Sequence, residues 1–392
     1  MGDKKFYEKY SENGIEIHRV DRFQKNRREN FSIFQAIRYV SFEIFNPFIF
    51  IYTIYLILKH KIKFVHISTF NQISLSPLIA AKLLSRKAIV TLHSHELLCF
   101  YSMMFPDCYG IRSGRCGECM LKKHNISILM NKNSFLSNFL IGIVNYQIRF
   151  ILFLKIKIVN YFSDKITFPS DYLREIYVKY GLKKEKTQTI YNFMELPKID
   201  ESRINQIKKS LKIKDQKIIL FIGATIEEKG IKILLKSFEK VSKKSGNLKL
   251  ILAGISYFSN KKDRFKIKPW LEDKVIFTGW INKKDKPNYY YISNIVVIPS
   301  IIPETFSLVF LEASLSKKII IASDSGALSD QIIDSKNGFL VKPNDPKELA
   351  EKIEYVFENY DSLSLMRENA FLTAKEKYRP SKIIKEFIEL YS

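Results

Sequence analysis

Two glutamates in the C-terminal half are predicted to lie after the end of a strand and in the helix that follows it, which are positions where ligands commonly bind. The apolar run Ile295–Ile298 predicts a buried strand that ends at Pro299, and Glu304 follows in a loop. Glu312 comes eight positions later, about two turns into a helix that we predict to start near Phe306. Carboxylates at these two places can accept hydrogen bonds from the hydroxyl groups of a ligand.

The predicted start of that helix is a candidate anion site. The N–H groups of Phe306, Ser307 and Leu308 are free for an anion there, and the helix dipole favours negative charge. A phosphate suits this position, and Glu312 on the same helix can bind a ribose diol beside it. Taken singly, Glu304 can be a helix-terminal charge and Glu312 a solvated surface residue. Their joint spacing after a Pro-Ser strand end favours a nucleotide site.

The segment from Ile295 to Ala313, IVVIPSIIPETFSLVFLEA, resembles the E-x7-E motif of the retaining, GT-B fold glycosyltransferases of family 4 (group 1). The resemblance covers most of the C-terminal half, including FIGATIEEKG at 221–230, Ser323–Gly326, Asp330 and Asn337–Gly338. It implies an α/β protein with two Rossmann-like, doubly wound domains that face one another across a cleft. It also implies that a nucleotide sugar is the substrate and that catalysis requires no cofactor.

The resemblance assigns roles to the residues around the glutamate pair. Glu304 is expected to be catalytic and to contact the donor sugar near the reacting centre, and Glu312 is expected to hold the ribose. Retention is expected to follow from attack on the same face of the sugar, with the donor phosphate helping to take the acceptor proton. The other residues expected to bind the donor are Gly223, Lys229, Thr305, Phe306, Ser307 and Leu308.

The chain departs from the family pattern at several of these positions. Ala224 stands where the family has an Arg that pairs with Lys229, so one of two phosphate-binding cations is missing. Ser307 replaces a Gly, and Asp330 stands where Glu is more frequent. Without a metal, the charge of the leaving group has to be stabilised by protein groups. A catalytically impaired, sugar-nucleotide-binding subunit is therefore the alternative to an active transferase.

A second catalytic candidate, His93, follows the predicted strand Ala88–Leu92 in the N-terminal half. This strand end resembles the family's T-x-H-D segment, with Ser94 in the place of the Asp. The resemblance implies that His93 faces the donor sugar and the acceptor. A histidine at a strand end can also be an ordinary hydrogen-bonded polar residue.

All four cysteines fall in one segment, residues 99–119. This segment resembles a cysteine-bearing insert that some family members carry. Four thiolates can hold a structural Zn²⁺ in a cytosolic protein, although the spacing is looser than that of two C-x-x-C pairs. Free thiols remain the alternative. The candidate ligands are Cys99, Cys108, Cys116 and Cys119.

Apolar β-branched runs that alternate with helical patterns predict parallel sheets covered by helices on both faces. We expect an N-terminal, acceptor-side domain at 1–195 and a donor-binding domain at 196–375, followed by a helix at 376–392 that packs back on the first domain. The family's first strand and its Gly-rich loop have no counterpart before Ile15, where the chain already resembles a later strand.

The composition limits the partners that the protein can have. The 64 Lys and Arg against 40 Asp and Glu give a net charge of +24, which attracts phosphates, nucleic acid or anionic membranes. No nucleic-acid recognition motif accompanies this charge, so we expect no nucleic acid partner. A basic solvated surface is the plain alternative.

The apolar stretches suggest where the protein meets its acceptor. Phe42–Leu58 and Phe135–Leu154 contain polar residues and are flanked by lysines, which suits helices that lie on a membrane interface, or helices buried against a sheet. Met1 to Arg28 carries no signal peptide pattern. We therefore expect a cytoplasmic protein, peripheral on the inner face of the cell membrane. The expected acceptor is a saccharide or a lipid-linked acceptor in cell-surface polysaccharide or glycolipid biosynthesis.

Overall fold

The computed structural model describes residues 7–20, 44–70, 73–99, 116, 119, 135–224, 226–254 and 267–392. The chain forms two compact units. The first takes its residues from Met1–Ile89 and Ile111–Asp164, and the second takes its residues from Val90–Gly110 and Lys165–Ser392.

The described residues of the first unit include a β-hairpin and three helices. Strands β1 (Tyr7–Glu12) and β2 (Ile15–Val20) pair antiparallel around Asn13 and Gly14, whose φ angles are 51° and 78°. An Asn-Gly pair with positive φ is favoured in two-residue hairpin turns, because its twist matches that of the strands. The helices are α1 (Pro47–Lys59), α2 (Ser76–Leu83) and α3 (Phe135–Phe162).

A four-stranded sheet has the order β3-β4-β5-β6. Its strands are β3 (Phe64–Ile67), β4 (Lys87–Thr91), β5 (Lys165–Phe168) and β6 (Thr187–Thr189). Helix α4 (Asp171–Lys179) connects β5 to β6, and these two strands are parallel, as expected of a β-α-β crossover.

A six-stranded parallel sheet forms the centre of the second unit. Its strands are β7 (Lys217–Ile222), β8 (Leu248–Ala253), β9 (Val275–Gly279), β10 (Ile295–Ile298), β11 (Ile319–Ser323) and β12 (Phe339–Val341). The order is β12-β11-β10-β7-β8-β9, which is that of a doubly wound Rossmann sheet. The direction of winding reverses between β7 and β10, and ligands of such sheets bind at that point.

Helices cover both faces of this sheet. Among the described residues, these helices are α5 (Glu201–Ser210), α6 (Ile231–Lys244), α7 (Lys286–Ile292), α8 (Leu308–Leu315), α9 (Leu328–Gln331), α10 (Pro346–Glu358) and α11 (Ser364–Lys377). The last helix, α12 (Pro380–Tyr391), follows α11. Along β7, Ile219 and Phe221 pack with α6 and α10, whereas Ile218 and Leu220 pack with α5 and α8. Burial of one such side chain stabilises the folded protein by about 1.5–3 kcal/mol relative to leaving it exposed.

The structure confirms the predicted α/β class with parallel sheets, and it differs from the sequence prediction at the N-terminus. The strand expected from Ile15 onward exists, but it belongs to a separate hairpin with β1, a strand that was not predicted from the sequence. In the ranges that the structure describes, none of the helices combines the length and the apolar character needed to cross a bilayer.

Candidate active site

The candidate site lies at the carboxyl ends of β7 and β10, where the order of the six-stranded sheet reverses. Gly223 follows β7, and Pro299 follows β10. A Cβ on Gly254 would lie 1.7 Å from the carbonyl oxygen of Gly223, and a Cβ on Gly230 would lie 1.7 Å from that of Pro299. Glycine is therefore required at 230 and 254, since any side chain would push the strand ends apart.

Glu304 is held in this region by two side chains and by its own backbone. Lys229 Nζ lies 2.6 Å from Glu304 Oε1, and the Ser300 hydroxyl donates to the same oxygen. The Glu304 carbonyl accepts the N–H of Ala327 at 2.7 Å. The Glu304 side chain is only 13% exposed, so its carboxylate has one fixed position, with Lys229 as its counter-ion. The structure therefore brings together two of the predicted site residues, Lys229 and Glu304.

The start of α8 differs from the sequence prediction in one important respect. The helix begins at Leu308, and the hydroxyl of Ser307 caps it by accepting the N–H of Phe310 at 3.2 Å. The N–H of Ser307 is not free for an anion, because it donates to Gln331 Oε1 at 2.9 Å. The prediction of a free Ser307 amide was therefore wrong in this structure. Leu308 occupies the first helical position, so its N–H is not used by the hydrogen bonds within the helix.

Glu312 lies on α8 between two residues of α7. Lys286 Nζ contacts Glu312 Oε1, and the hydroxyl of Tyr290 donates to Glu312 Oε2 at 2.6 Å. Burial first, and then the adjacent carboxylate, raise the pKa of Tyr290 well above its usual value. The phenol therefore remains a donor at physiological pH. Both oxygens of Glu312 are oriented, and a ligand diol would have to share them or displace Lys286.

The remaining predicted donor residues surround this start of α8. The Thr305 carbonyl accepts the hydroxyl of Ser170, the N-cap of α4, at 2.7 Å. Phe306 is buried, and its ring packs edge-on against Tyr378 with the ring centroids 5.6 Å apart. Leu308 is exposed. The backbone carbonyl of Thr305 and the side chain of Phe306 thus anchor the loop.

Asp330 on α9 connects the donor-side loop to α4. Its Oδ2 accepts the N–H of Tyr172 at 2.6 Å, in the first turn of α4, where a helix favours a negative charge. Burial nevertheless raises the pKa of Asp330 above its usual 3.8. The shorter side chain of Asp, in the place of the more frequent Glu, therefore reaches the N–H of Tyr172 directly.

His93 lies just beyond β4 and is accessible at the surface. Desolvation by the surrounding protein lowers the pKa of its imidazole below the usual 6.5. The segment after it is held by Tyr177 of α4, which is fully buried. The Tyr177 hydroxyl donates to the Ser94 carbonyl at 2.9 Å and accepts the N–H of Leu97 at 3.1 Å. A neutral imidazole is thus placed on a loop whose backbone is fixed.

The sequence did not identify several residues that hold the site together, among them Lys286, Tyr290, Gln331 and Tyr177. Lys286 and Tyr290 are four residues apart, a spacing that places them on one helix face. This spacing points to a contact with Glu312 only once the position of Glu312 beside that helix face is known. Gln331 directly follows Asp330, but the sequence does not show that its amide reaches back to residue 307.

The predicted zinc ligands cannot all be placed. Cys99 is buried after β4, and Cys116 and Cys119 are partly buried. Cys108 lies outside the described residues.

Ala224 stands at the end of β7 in place of the expected Arg and directly follows Gly223. Among the described residues at this strand end, Lys229 is therefore the cation that pairs with Glu304.

A six-stranded doubly wound sheet, with a glutamate pair and a helix start at its switch point, defines a Rossmann-type nucleotide-binding domain. Residues 202–373 match the family described as glycosyl transferases group 1. Residues 7–197 match the family described as glycosyltransferase family 4. The chain belongs to this group of glycosyltransferases, as the motif around Glu304 and Glu312 predicted.

Curated relatives agree with this assignment. An uncharacterized glycosyltransferase of Methanocaldococcus jannaschii is 28% identical over 232 residues, which are 58% of this chain and 59% of that protein. The lipopolysaccharide 1,2-N-acetylglucosaminetransferase of Salmonella typhimurium is 26% identical over 45% of this chain and 48% of that protein. The capsular polysaccharide biosynthesis glycosyltransferase CapM of Staphylococcus aureus is 25% identical, over 62% and 65% respectively. The chain thus spans about half of the length of the first two relatives.

Solved structures show the GT-B fold. HepE of Anabaena, solved in complex with UDP-glucose, has a TM-score of 0.66 at 19% identity and covers 87% of this chain and 81% of its own. The sucrose-phosphate synthase of Thermosynechococcus elongatus has a TM-score of 0.64 at 18% identity, with 99% and 85% covered. These likenesses confirm the predicted GT-B fold class.

Proposed function

We propose that the protein is a retaining glycosyltransferase that moves a sugar from a nucleotide-diphosphate sugar to a saccharide or lipid-linked acceptor. One observation carries the proposal: Glu304 and Glu312, each oriented by a lysine, flank the start of α8 at the switch point of the sheet. The relatives named for lipopolysaccharide and capsule synthesis support a product of the cell surface.

In this proposal each residue has one task. Glu304 binds hydroxyls of the donor sugar, and Glu312 binds the ribose diol with one or both carboxylate oxygens. The backbone N–H of Leu308, and that of Phe306 before it, bind the diphosphate. Lys229 lies beside Glu304 and stabilises the charge that develops on the departing diphosphate. His93, neutral at physiological pH, contacts the donor sugar and the acceptor, while the donor phosphate helps to take the acceptor proton.

The test is sugar transfer and donor hydrolysis with UDP-, GDP- and ADP-sugars. Glu312→Gln should raise the donor KM by roughly tenfold or more, because a hydrogen bond to a charged group is lost. Glu304→Gln should lower kcat by about a hundredfold, because its contact forms near the reacting centre. Glu351→Gln, a surface glutamate near Lys347, is the matched control and should behave like the parent. Parental kinetics in both site variants would refute these roles.

A catalytically impaired, donor-binding subunit is the second candidate. It is favoured by Ala224, because Lys229 is then left to serve both Glu304 and the diphosphate. Such a protein would bind a nucleotide sugar in a calorimeter and show neither transfer nor hydrolysis. Any turnover that Glu304→Gln abolishes would exclude it.

We further propose that the functional division runs at 195/196, with 1–195 as the acceptor side, 196–375 as the donor side and 376–392 as a terminal helix. The family matches support this boundary, since one ends at 197 and the other begins at 202. The compact units divide elsewhere, because β5, α4 and β6 are grouped with the donor-side sheet.

We also propose a peripheral contact with an anionic membrane, through one face of α3. Five large side chains on this helix are between 40% and 71% exposed, at spacings of four and three residues. The opposite face is buried and includes Ile148, Leu152, Ile156 and Val159. An exposed apolar stripe on a basic protein suits a lipid interface. We name it the α3 aromatic face: Phe139, Ile143, Tyr146, Phe150 and Phe153.

A further inference from the structure

Three side chains that commonly bind metal ions lie together in the first unit. Glu16 and His18 project from the same face of β2, because residues two apart in a strand do so. His60 is the C-cap of α1. Glu16 Oε1 lies 2.5 Å from His18 Nε2 and 3.5 Å from His60 Nε2. Within the described residues, this is the group of three potential ligands whose atoms lie within 4.8 Å of one another.

Two neighbouring side chains hold His18 and Glu16 by the atoms that would face away from a metal ion. The hydroxyl of Tyr52, on α1, lies 2.5 Å from His18 Nδ1. Lys9 Nζ, on β1, lies 2.8 Å from Glu16 Oε2. A partner on the far nitrogen of a histidine, and one on the far oxygen of a carboxylate, leave the near atoms for the metal.

The tautomer of His18 decides whether its Nε2 can bind a metal ion. When Nδ1 accepts the hydroxyl proton of Tyr52, Nε2–H donates to Glu16, and a neutral imidazole satisfies both contacts. When Nδ1 instead donates to the Tyr52 oxygen, Nε2 presents its lone pair to a metal ion. His60 Nε2 faces the same oxygen of Glu16 at 3.5 Å, so the three ligand atoms converge on one place.

We propose that Glu16, His18 and His60 bind a divalent transition-metal ion, with Zn²⁺ as the probe. Two imidazoles and a carboxylate form a ligand set that Zn²⁺ accepts, with water in the fourth position. Ligands about 2.0–2.1 Å from a tetrahedral zinc are roughly 3.3 Å apart. The spacing of His60 and Glu16 already matches this value, and His18 needs a small rotation away from Glu16. The ion would fasten the β1–β2 hairpin to the end of α1, independently of sugar transfer.

Calorimetric titration of the chelator-treated full chain with Zn²⁺ tests the proposal. The wild type should bind one equivalent that His60→Ala and His18→Ala lose, with affinity falling by at least about tenfold. Tyr52→Phe should weaken the same equivalent by roughly tenfold while keeping the stoichiometry. His66→Ala, which removes an exposed histidine of β3, is the matched control and should bind as the wild type does.

Two further measurements distinguish this site from unfolding of the variant and from zinc bound by cysteines. The His60 side chain is 39% exposed, so metal-free His60→Ala should melt as the metal-free wild type does, and lost binding cannot then reflect unfolding. With Co²⁺ as the probe, cysteine thiolates give a near-ultraviolet charge-transfer band, and an N/O ligand set does not. The equivalent lost in His60→Ala should lack this band. Zinc binding that is the same in His18→Ala, His60→Ala and the wild type, or no binding by the wild type, would overturn the site.

Discussion

At the scale of single residues, the position of Glu304 depends on a neighbour with no side chain. Gly326 has a φ of 66°, and a Cβ there would lie 2.4 Å from the carbonyl oxygen and 2.7 Å from the nitrogen of Glu304. Both atoms belong to the backbone, so they cannot yield as the end of a flexible side chain can. The loop of Glu304 and the turn of Gly326 are therefore packed as one structure.

Gly326→Ala should destabilise the protein and displace Glu304. The strained φ and the backbone clash together should cost about 1–3 kcal/mol, which denaturant unfolding would measure. Transfer activity per folded molecule should fall as well. Gly246→Ala is the control, because a Cβ at that position meets no atom within 4 Å. Equal effects of the two variants would show that the contact with Glu304 is unimportant.

The desolvation of His93 predicts a specific dependence of stability on pH. The folded protein lowers the pKa of this imidazole below 6.5, so the unfolded chain binds the proton more readily. The free energy of unfolding should therefore fall as the pH drops through 6.5. His93→Gln lacks this group, and its stability should decline less over the same interval in urea titrations. Parallel curves for wild type and variant would contradict the expected desolvation.

The sequence predicted the positions of the two candidate glutamates in the fold better than it predicted their hydrogen bonds. Glu304 and Glu312 follow from a strand end and a helix period, both of which are local patterns. Their counter-ions do not: Lys229 is 75 positions from Glu304, and Lys286 is 26 positions from Glu312. Such pairs depend on which strands are adjacent, and a single sequence does not contain that information.

At the scale of elements, the parallel strands were predictable and the hairpin was not. Strands such as β7 and β10 are buried on both faces, so their runs are continuously apolar and stand out in the sequence. β1 is polar instead of continuously apolar, and its signal in the sequence is the Asn13-Gly14 turn that follows it. The free Ser307 amide was a local expectation that a distant glutamine overturned.

Helix α4 positions the His93 loop, and this role can be separated from donor binding. Tyr177→Phe removes the acceptor of the Leu97 N–H and the donor to the Ser94 carbonyl, and both backbone groups then lose a partner. The loss should cost about 1–3 kcal/mol. It should lower kcat and leave the donor KM unchanged, because Glu312 is untouched. Tyr355→Phe, at an exposed tyrosine, is the control. A change in donor KM alone would contradict this role for Tyr177.

At the scale of the whole molecule, the net charge of +24 and the α3 aromatic face make different contributions to a membrane contact. Charge attracts the protein to anionic lipid over about a Debye length, and salt weakens this attraction. Burial of aromatic side chains at the interface requires contact and persists in salt. Lys157, whose Nζ lies 5.3 Å from the Phe153 ring centroid, places a cation beside this apolar face.

Vesicle flotation can therefore distinguish a membrane site from general basicity. The wild type should bind vesicles with anionic lipid, and part of the binding should survive added salt. Phe150→Glu combined with Phe153→Glu should abolish that salt-resistant part. Leu365→Glu combined with Ile388→Glu adds the same charge at other exposed apolar positions, and should weaken only the salt-sensitive part. If both pairs weaken binding equally, charge alone accounts for it, and the α3 aromatic face is not a membrane contact.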